Sequence, residues 1–388
     1  MKKRLIILVK YFEWLYNIYF YGFGFLLNIL KCFYKTDRKL ILINSFGGKK
    51  YDDSPRVLYE AMLKDSRFKD YKIFWAFHEP SRYNLPNMVK VDTFAYFKIA
   101  LKARCWITNS GIERGLEFKN KNTFYLNTWH GSPIKKIGSD IMLENKSFRS
   151  KGGNSVDIMT SQSEFEAEIF SRVFQIPIKN FLMCGLPRND ILFNYTNEQK
   201  KEIKERLGLP AEKIIILYAP TFREYDRDKN KNCVLIPPVD IDKWQRKLGD
   251  SFCLLFRAHY EVGKMMNIEN NRFVRNVTEH PSLNELMIVS DILVSDYSSI
   301  FFDFSIMDKV MLHFTYDYDK YEEHRGMYFD IRNLLNGSNC EDGIIQIIKN
   351  MNISVEKERT VAFRKKYLNY YGNATKETLD CIIKHIGE

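Results

Sequence analysis

From Lys39 onward, short apolar runs alternate with amphipathic segments. "KLILINSF", "YKIFWAF", "RCWITNS", "TFYLNTWH", "DIMTSQ" and "FLMCG" are compact, rich in β-branched and aromatic residues, and mostly followed by a turn and a helical-period stretch such as "SPRVLYEAMLKD" or "SEFEAEIFSRVF". Runs that are apolar throughout, rather than alternating, read as strands covered on both faces, and their alternation with helices predicts a parallel sheet. After "GLPRND" the polar stretch "NYTNEQKKEIKERLGLP" predicts a boundary helix, and a second series follows: "KIIILYAP", "FCLLFRAH", "RFVRNV", "DILVSD" and "KVMLHF". The pattern predicts an α/β protein of two Rossmann-like domains, 36–195 and 196–388, with a cleft between them; a chain of 388 residues is long enough for two cores.

Residues 1–35 follow a different pattern. In "YFEWLYNIYFYGFGFLLNILK" the less apolar positions Lys10, Glu13, Asn17, Tyr21, Gly24, Asn28 and Lys31 recur every three or four residues, one stripe along an α-helix, against a background of Phe, Tyr, Trp, Leu and Ile. No small-residue cleavage site follows, which weakens a signal-peptide reading. A spanning helix and a helix packed on the protein's own core are the other readings. The stripe, the aromatic face and the basic flanks favour a helix lying in the membrane interface.

Charge supports this reading. The net charge is +11, of which +5 falls within residues 1–35 (Lys2, Lys3, Arg4, Lys10, Lys31 and Lys35 against Glu13). The imbalance is concentrated beside the most apolar segment, which points to an anionic membrane surface rather than nucleic acid. The seven cysteines are scattered with no C-x-x-C pair, as expected for a reducing compartment and against a disulfide framework or structural zinc.

In parallel α/β sheets the loops after the carboxyl ends of strands form the binding crevice. That rule assigns an address to the candidate chemistry: His130 ends one strand, Thr221 and Arg223 follow "IIILYAP", Arg257 and His259 follow "LLF", and Asp296, Ser298 and Ser299 follow "ILV". Asp296–Ser299 enter a helix, so hydroxyls and free N–H groups there suit a phosphate or diphosphate, or else form an ordinary cap. Arg223, Arg257 and His259 add positive charge that a plain cap does not need. His130 is the natural proton acceptor, because imidazole titrates near pH ~6.5, and Gly131 and Pro133 turn the chain beside it. Lys135 and Lys136 add positive potential. The P-loop, the G-x-S-x-G elbow, the H-E-x-x-H helix and the G-x-G-x-x-G fingerprint are all absent, as is a carboxylate cluster demanding a tightly held metal, which leaves only a loosely bound magnesium on a donor diphosphate.

Together these stretches resemble the CDP-glycerol glycerophosphotransferases that build teichoic acids and some capsules. "SFGGKKYDDSPRVLYE", "NTWHGSPIKKIG", "GLPRND", "YAPTFRE", "FRAH", "SDYSSIFFDF" and "YEEHRGMYFD" are similar to the family's motifs and occur in the same order. The resemblance implies a GT-B fold with CDP-glycerol held mainly by the second domain. It implies His130 as base and His259 as a second essential histidine beside the diphosphate. Arg223, Ser298 and Ser299 match positions near the donor phosphates, with Thr221, Arg257 and Asp296 beside them. Gly131, Lys135, Lys136 and Arg188 fall on the acceptor side. After "RGMYFD" the chain departs from the family pattern with "IRNLLNGSNCEDG".

The expected reaction is transfer of glycerol phosphate to a membrane-borne disaccharide-diphosphate lipid, a priming step on the cytoplasmic face of the membrane. Poly(glycerol phosphate) or ribitol phosphate polymerisation is the alternative. Rivals of other classes are a nucleotide-sugar glycosyltransferase of the same fold and a non-catalytic basic binding protein.

Overall fold

Strand β1 (Asp37–Asn44) is exposed over its first three residues and buried over the last five, as expected for a strand entering a sheet covered on both faces. The computed structural model describes residues 14, 17–141, 155–221, 223, 237–258 and 268–387. They form two units.

The first unit holds a seven-stranded, all-parallel sheet: β1, β2 (Lys72–Phe77), β3 (Met88–Lys90), β4 (Ala103–Thr108), β5 (Phe124–Asn127), β6 (Ile158–Ser161) and β7 (Phe181–Met183), in the order β3-β2-β1-β4-β5-β6-β7. The order reverses between β1 and β4, which makes that junction the sheet's switch point. Helices α1 (Gly24–Phe33), α2 (Asp53–Met62), α3 (Phe94–Lys102) and α4 (Glu164–Phe174) belong to this unit. Its core includes Ile41, Ile43, Leu58, Trp75, Ile107 and Leu126.

The second unit repeats the plan with six parallel strands: β8 (Ile214–Ala219), β9 (Phe252–Phe256), β10 (Val274–Asn276), β11 (Ile292–Ser295), β12 (Val310–Phe314) and β13 (Asn336–Ser338), ordered β10-β9-β8-β11-β12-β13. Here the switch point lies between β8 and β11. The strand β13 comes from the stretch that departs from the family pattern. Gly337 faces His313 there, and a Cβ on it would fall 2.0 Å from the His313 carbonyl oxygen, so the pairing needs glycine.

Both sheets carry the expected strands, plus the short edge strands β3 and β13, which are too brief to register as apolar runs. The unit boundary falls between Arg188 and Asn189 rather than at residue 195. The Arg188 guanidinium pairs with Asp53 of the first unit, whereas the Asn189 amide donates to Asp303 of the second at 2.7 Å.

The chain also returns at its end. The expectation that 196–388 forms one domain is corrected for residues 373–387, which belong to the first unit. The helix Ala374–Ile386 buries Leu379, Ile382 and Ile386 in that core. Each such side chain contributes roughly 1.5–3 kcal/mol on burial. Nothing in the local sequence says which core a terminal amphipathic helix will cover.

The helix α1 is amphipathic, and it turns Gly24, Asn28 and Lys31 of the weakly polar stripe inward, whereas Asn17 and Tyr21, before it, are exposed. Gly24 and Leu27 are buried, Asn28 Nδ2 donates to the Glu117 carbonyl at 2.7 Å, and Lys31 Nζ reaches the Lys119 carbonyl at 3.4 Å. Trp14, Ile18, Tyr21, Phe25, Leu26, Ile29 and Phe33 are exposed. Lys10 and Glu13 of the stripe lie outside the described residues. Among the described residues no helix is long and apolar enough to cross a membrane.

Candidate active site

The end of β5 leads into the "NTWH" segment. Asn127 Oδ1 accepts the Trp129 N–H at 2.8 Å, and Asn127 Nδ2 donates to the Ser110 carbonyl beyond β4 at 3.2 Å. Trp129 adopts φ 51°, a left-handed conformation unusual for a bulky side chain, and its indole stacks on the His130 imidazole at 4.2 Å. The indole is also packed by Phe170 and Phe174 of α4.

His130 is therefore held firmly. Its Nδ1 lies 2.7 Å from the Asn109 carbonyl, which can only accept, so Nδ1 carries the proton and Nε2 keeps its lone pair. Burial lowers the His130 pKa below the ordinary histidine value, the hydrogen bond to Asn109 and the Asp53 carboxylate opposing this, with Arg188 adding a smaller push downward. The ring is thus neutral near pH 7, in the tautomer a general base requires.

Arg188, expected on the acceptor side, is engaged with the site's own framework. Its Nη1 donates to Asp53 Oδ2 at 2.5 Å and to the His130 carbonyl at 2.9 Å. Asp53 itself has φ 64°. This Asp53–Arg188 pair fixes the backbone at His130, and neither Asp53 nor Asn109 stood out in the sequence. Asp53 lies within the motif "SFGGKKYDDSPRVLYE", and Asn109 sits one residue past a strand, so position relative to strand ends was the available signal.

Beyond His130 the chain passes into the second unit at Gly131 (φ 145°). There Lys135 bridges Met327, Lys136 N–H donates to the Gly326 carbonyl at 2.9 Å, and Tyr328 N–H donates to Ile134 at 2.8 Å. A Cβ on Gly326 (φ 72°) would lie 2.8 Å from Lys136 Cδ, so the glycine makes room for the lysine stem. The motifs "NTWHGSPIKKIG" and "YEEHRGMYFD" are thereby joined by backbone pairing.

At the switch point of the second sheet, Asp296 Oδ1 accepts from the N–H groups of Thr221 and Tyr297 at 2.8 and 2.7 Å. Arg223 is beside it but points inward. It is 1% exposed, 2.9 Å from Asp296, 2.7 and 2.8 Å from the two oxygens of Asp317, and ringed by Tyr297, Tyr316 and Tyr321 at about 5 Å. Arg223, expected near the donor phosphates, is held here by these two carboxylates and by the Thr221 carbonyl. Two carboxylates neutralise the guanidinium, and it ties the ends of β8 and β11 to Asp317, which precedes the helix Tyr318–Arg325. No sequence pattern marked Asp317, which lies 94 positions away.

Arg257 donates to the carbonyls of Val277 and His280 at 3.1 and 2.8 Å, holding the loop after β10. Ser298 and Ser299 are half-buried at the mouth of the short helix Ile300–Ser305, where Ser298 Oγ accepts the Ile300 N–H at 3.3 Å. His259 lies outside the described residues. Among the described residues no group of three His, Cys, Asp or Glu side chains could hold a metal ion.

His130 follows β5 of the first unit, and Asp296, Ser298 and Ser299 follow β11 of the second, each at the carboxyl end of a strand in a parallel sheet. The chain belongs to the CDP-glycerol:poly(glycerophosphate) glycerophosphotransferase family, whose pattern matches residues 26–384, and it is an enzyme of that transferase class. It is 32% identical over 371 residues to a teichoic acid glycerol-phosphate transferase of Staphylococcus aureus, covering 90% of this chain and 94% of the relative. A teichoic acid poly(glycerol phosphate) polymerase of Bacillus spizizenii is 33% identical over 347 residues, 84% of each chain. Against a polymerase of Staphylococcus epidermidis, at 30% identity over 90% of this chain, it spans 51% of the relative's length. Among solved structures it is similar to the wall teichoic acid polymerase TagF, with a TM-score of 0.80, 30% identity and 90% of both chains covered. A histidine-to-asparagine variant of that polymerase soaked with CDPG superposes with a TM-score of 0.81 at 28% identity over 94% of this chain and 93% of that one.

Proposed function

We propose that this chain transfers glycerol phosphate from CDP-glycerol to a hydroxyl of a lipid-linked acceptor in teichoic acid synthesis, with His130 as general base. The observation that carries the reading is the Nδ1 contact to the Asn109 carbonyl, which leaves Nε2 as a neutral acceptor. The acceptor oxygen attacks the glycerol-bearing phosphorus and a new P–O bond forms. The acceptor proton passes to Nε2, and the bond to the CMP phosphate oxygen breaks, CMP keeping the electron pair. Phosphoryl transfer depends chiefly on positioning and charge stabilisation, supplied here by the Asp296–Ser299 loop and by His259. Arg223 acts as a positioning residue for that loop. No tightly held metal enters this scheme; a magnesium ion would accompany the donor diphosphate.

For the acceptor, the sequence reading favours a disaccharide-diphosphate lipid, a priming reaction. Chain extension is the second reading. Poly(glycerol phosphate) polymerases align over 76–90% of this chain, whereas teichoic acid glycerol-phosphate primases of Bacillus spizizenii and Bacillus subtilis align over 66% and 68%. The outward apolar face of α1, flanked by lysines, supports monotopic attachment to an anionic membrane on its cytoplasmic side. The test is CMP release from CDP-glycerol, with CDP-ribitol and a nucleotide sugar in parallel, and mass analysis of the lipid product. Release with CDP-glycerol alone, abolished in a folded His130→Gln protein, supports the reading. Release with the nucleotide sugar, or undiminished turnover in His130→Gln, rejects it.

A further inference from the structure

The helix Leu283–Val289 ends inside the second unit, where Met287, Ile288, Val289 and Ser290 are all buried. A buried helix end needs donors for its last carbonyls. Leu286 accepts from the Ser290 N–H at 3.2 Å and from the Ser290 hydroxyl at 2.6 Å, and Lys309 Nζ meets the carbonyls of Met287 and Ile288 at 3.1 and 2.7 Å. We infer that Lys309 is a positioning residue for the donor loop and its proton-operated latch: the uncharged amine holds the frame beneath the loop closed, and taking up a proton releases it, so donor affinity falls in acid. The inference rests on the donor reading proposed above, in which the Asp296–Ser299 loop receives CDP-glycerol.

Place is the first argument. Lys309 immediately precedes β12, whose Val310 pairs with Ile292 at the start of β11, and β11 leads to Asp296. The helix Ile300–Ser305, which begins just beyond Ser298 and Ser299, presents the Phe304 ring 5.9 Å from the amine, and the Tyr195 ring lies 5.3 Å from it. One side chain therefore touches both the helix that leads into the donor loop and the helix that leaves it.

The second argument is the number of hydrogens. Lys309 is 9% exposed, and among the described residues no carboxylate pairs with it. Two carbonyls match the two N–H groups of an uncharged amine. A third proton brings a charge with no further carbonyl to receive it, and the two ring faces return only part of what water gives a cation.

The surrounding charges are the third argument. Lys200 and Lys204 of the helix Asn197–Arg206 and Lys357 of the helix Ile353–Tyr367 oppose a charge on Lys309, while Asp291, held by Lys200 at 2.9 Å, favours it. The other packed elements carry Glu285, engaged by Arg206 and His280, and Asp303, bound by Asn189. Asp308, next in the chain, is paired with Arg364 at 2.9 Å. Burial, with the three lysines adding to it, lowers the Lys309 pKa from 10.5 to about 7. Both states are then populated near neutrality. A donor that binds only the closed state loses affinity by up to about tenfold at one pH unit below that value, the limit for one linked proton. The diphosphate of CDP-glycerol, esterified at both ends, has no proton to gain in this range.

The experiment titrates CDP-glycerol by calorimetry into the wild-type protein, Lys309→Gln and Lys309→Arg, in buffers of different ionisation heat. The glutamine amide offers two N–H groups and cannot charge, whereas arginine is always charged. The wild-type Kd should weaken about tenfold from about pH 8 to 6, with a proton released on binding at the lower pH. Lys309→Gln should show no such slope, and Lys309→Arg should bind weakly throughout. A wild-type Kd independent of pH, or an equal slope in Lys309→Gln, overturns the latch. If Lys309→Arg does not fold, the glutamine variant decides alone. The acid limb set by His130 is read at saturating donor, where the latch is held closed, and should coincide in wild type and Lys309→Gln.

A second measurement stands apart from the donor. The folded chain holds this amine at a lower pKa than the unfolded chain, so wild-type denaturation midpoints should lose ground to Lys309→Gln as pH falls from about 10 to 7, and no further below. If CDP-glycerol binds at no pH, the donor reading fails. The midpoints then decide the switch by themselves: a gap that widens in this window supports it, and a constant gap overturns it.

Discussion

The carboxyl ends of the two sheets put their ionisable side chains to opposite uses. In the first unit, His130 is stripped of charge by burial, oriented by one backbone carbonyl and stacked on an indole, so a neutral lone pair remains available for chemistry. In the second, Arg223 keeps its charge in a more deeply buried place because Asp296 and Asp317 surround it. Burial alone does not mark a catalytic group. What separates the two is the partner: a single hydrogen bond leaves the imidazole a free valence, whereas two carboxylates neutralise the guanidinium.

The largest expected effect breaks the comparison on the first side. If His130 is the base, replacing it by Gln should lower kcat by about 10²–10⁴, with a smaller loss of stability from the missing stack on Trp129, read from the unfolding midpoint. The mirror experiment is Arg223→Met, which strands two buried carboxylates. Chemical denaturation should show a loss of about 3–5 kcal/mol, with activity falling through the disordered Asp296 loop. Asp317→Asn should cost less, because Asp296 still pairs with the guanidinium.

Proton titrations sharpen the contrast further. With the His130 pKa held below its ordinary value of about 6.5, the acid limb of the kcat/KM profile should lie below that pH, falling up to about tenfold per pH unit. His313, buried under β13 with its pKa lowered to about 4, contributes to stability rather than to rate. The unfolded chain binds this proton first, so denaturation midpoints should decline as pH falls from about 6.5 towards 4 and stop declining through this group below that. The smallest effect concerns α1. Phe25→Ser with Ile29→Ser should weaken binding to anionic vesicles several-fold without changing CMP release from a water-soluble acceptor.

Much of this architecture could be read in the chain before any coordinates. Apolar runs such as "KLILINSF" are continuous because parallel strands are covered on both faces, so most strands were visible, and strand ends pointed to His130 and Asp296. The amphipathic stripe of α1 was visible too, but not the direction it faces, because period fixes a face and not its partner. The Arg223–Asp317 pair links residues far apart in sequence and has no local signature. What escaped the sequence is long-range pairing, above all between charged groups, where a basic residue reads the same whether it faces a substrate or a carboxylate.

The helix Ala374–Ile386 also bears on synthesis. A ribosome completes all seven strands of the first sheet, and then residues 189–372 of the second unit, before the side chains of Leu379, Ile382 and Ile386 exist to close the earlier core. Until then, apolar surface on the growing chain stays open to water while nearly two hundred further residues emerge. The order of translation therefore runs against the order in which the cores can be sealed. For this chain, the first core can be sealed only once synthesis is almost finished.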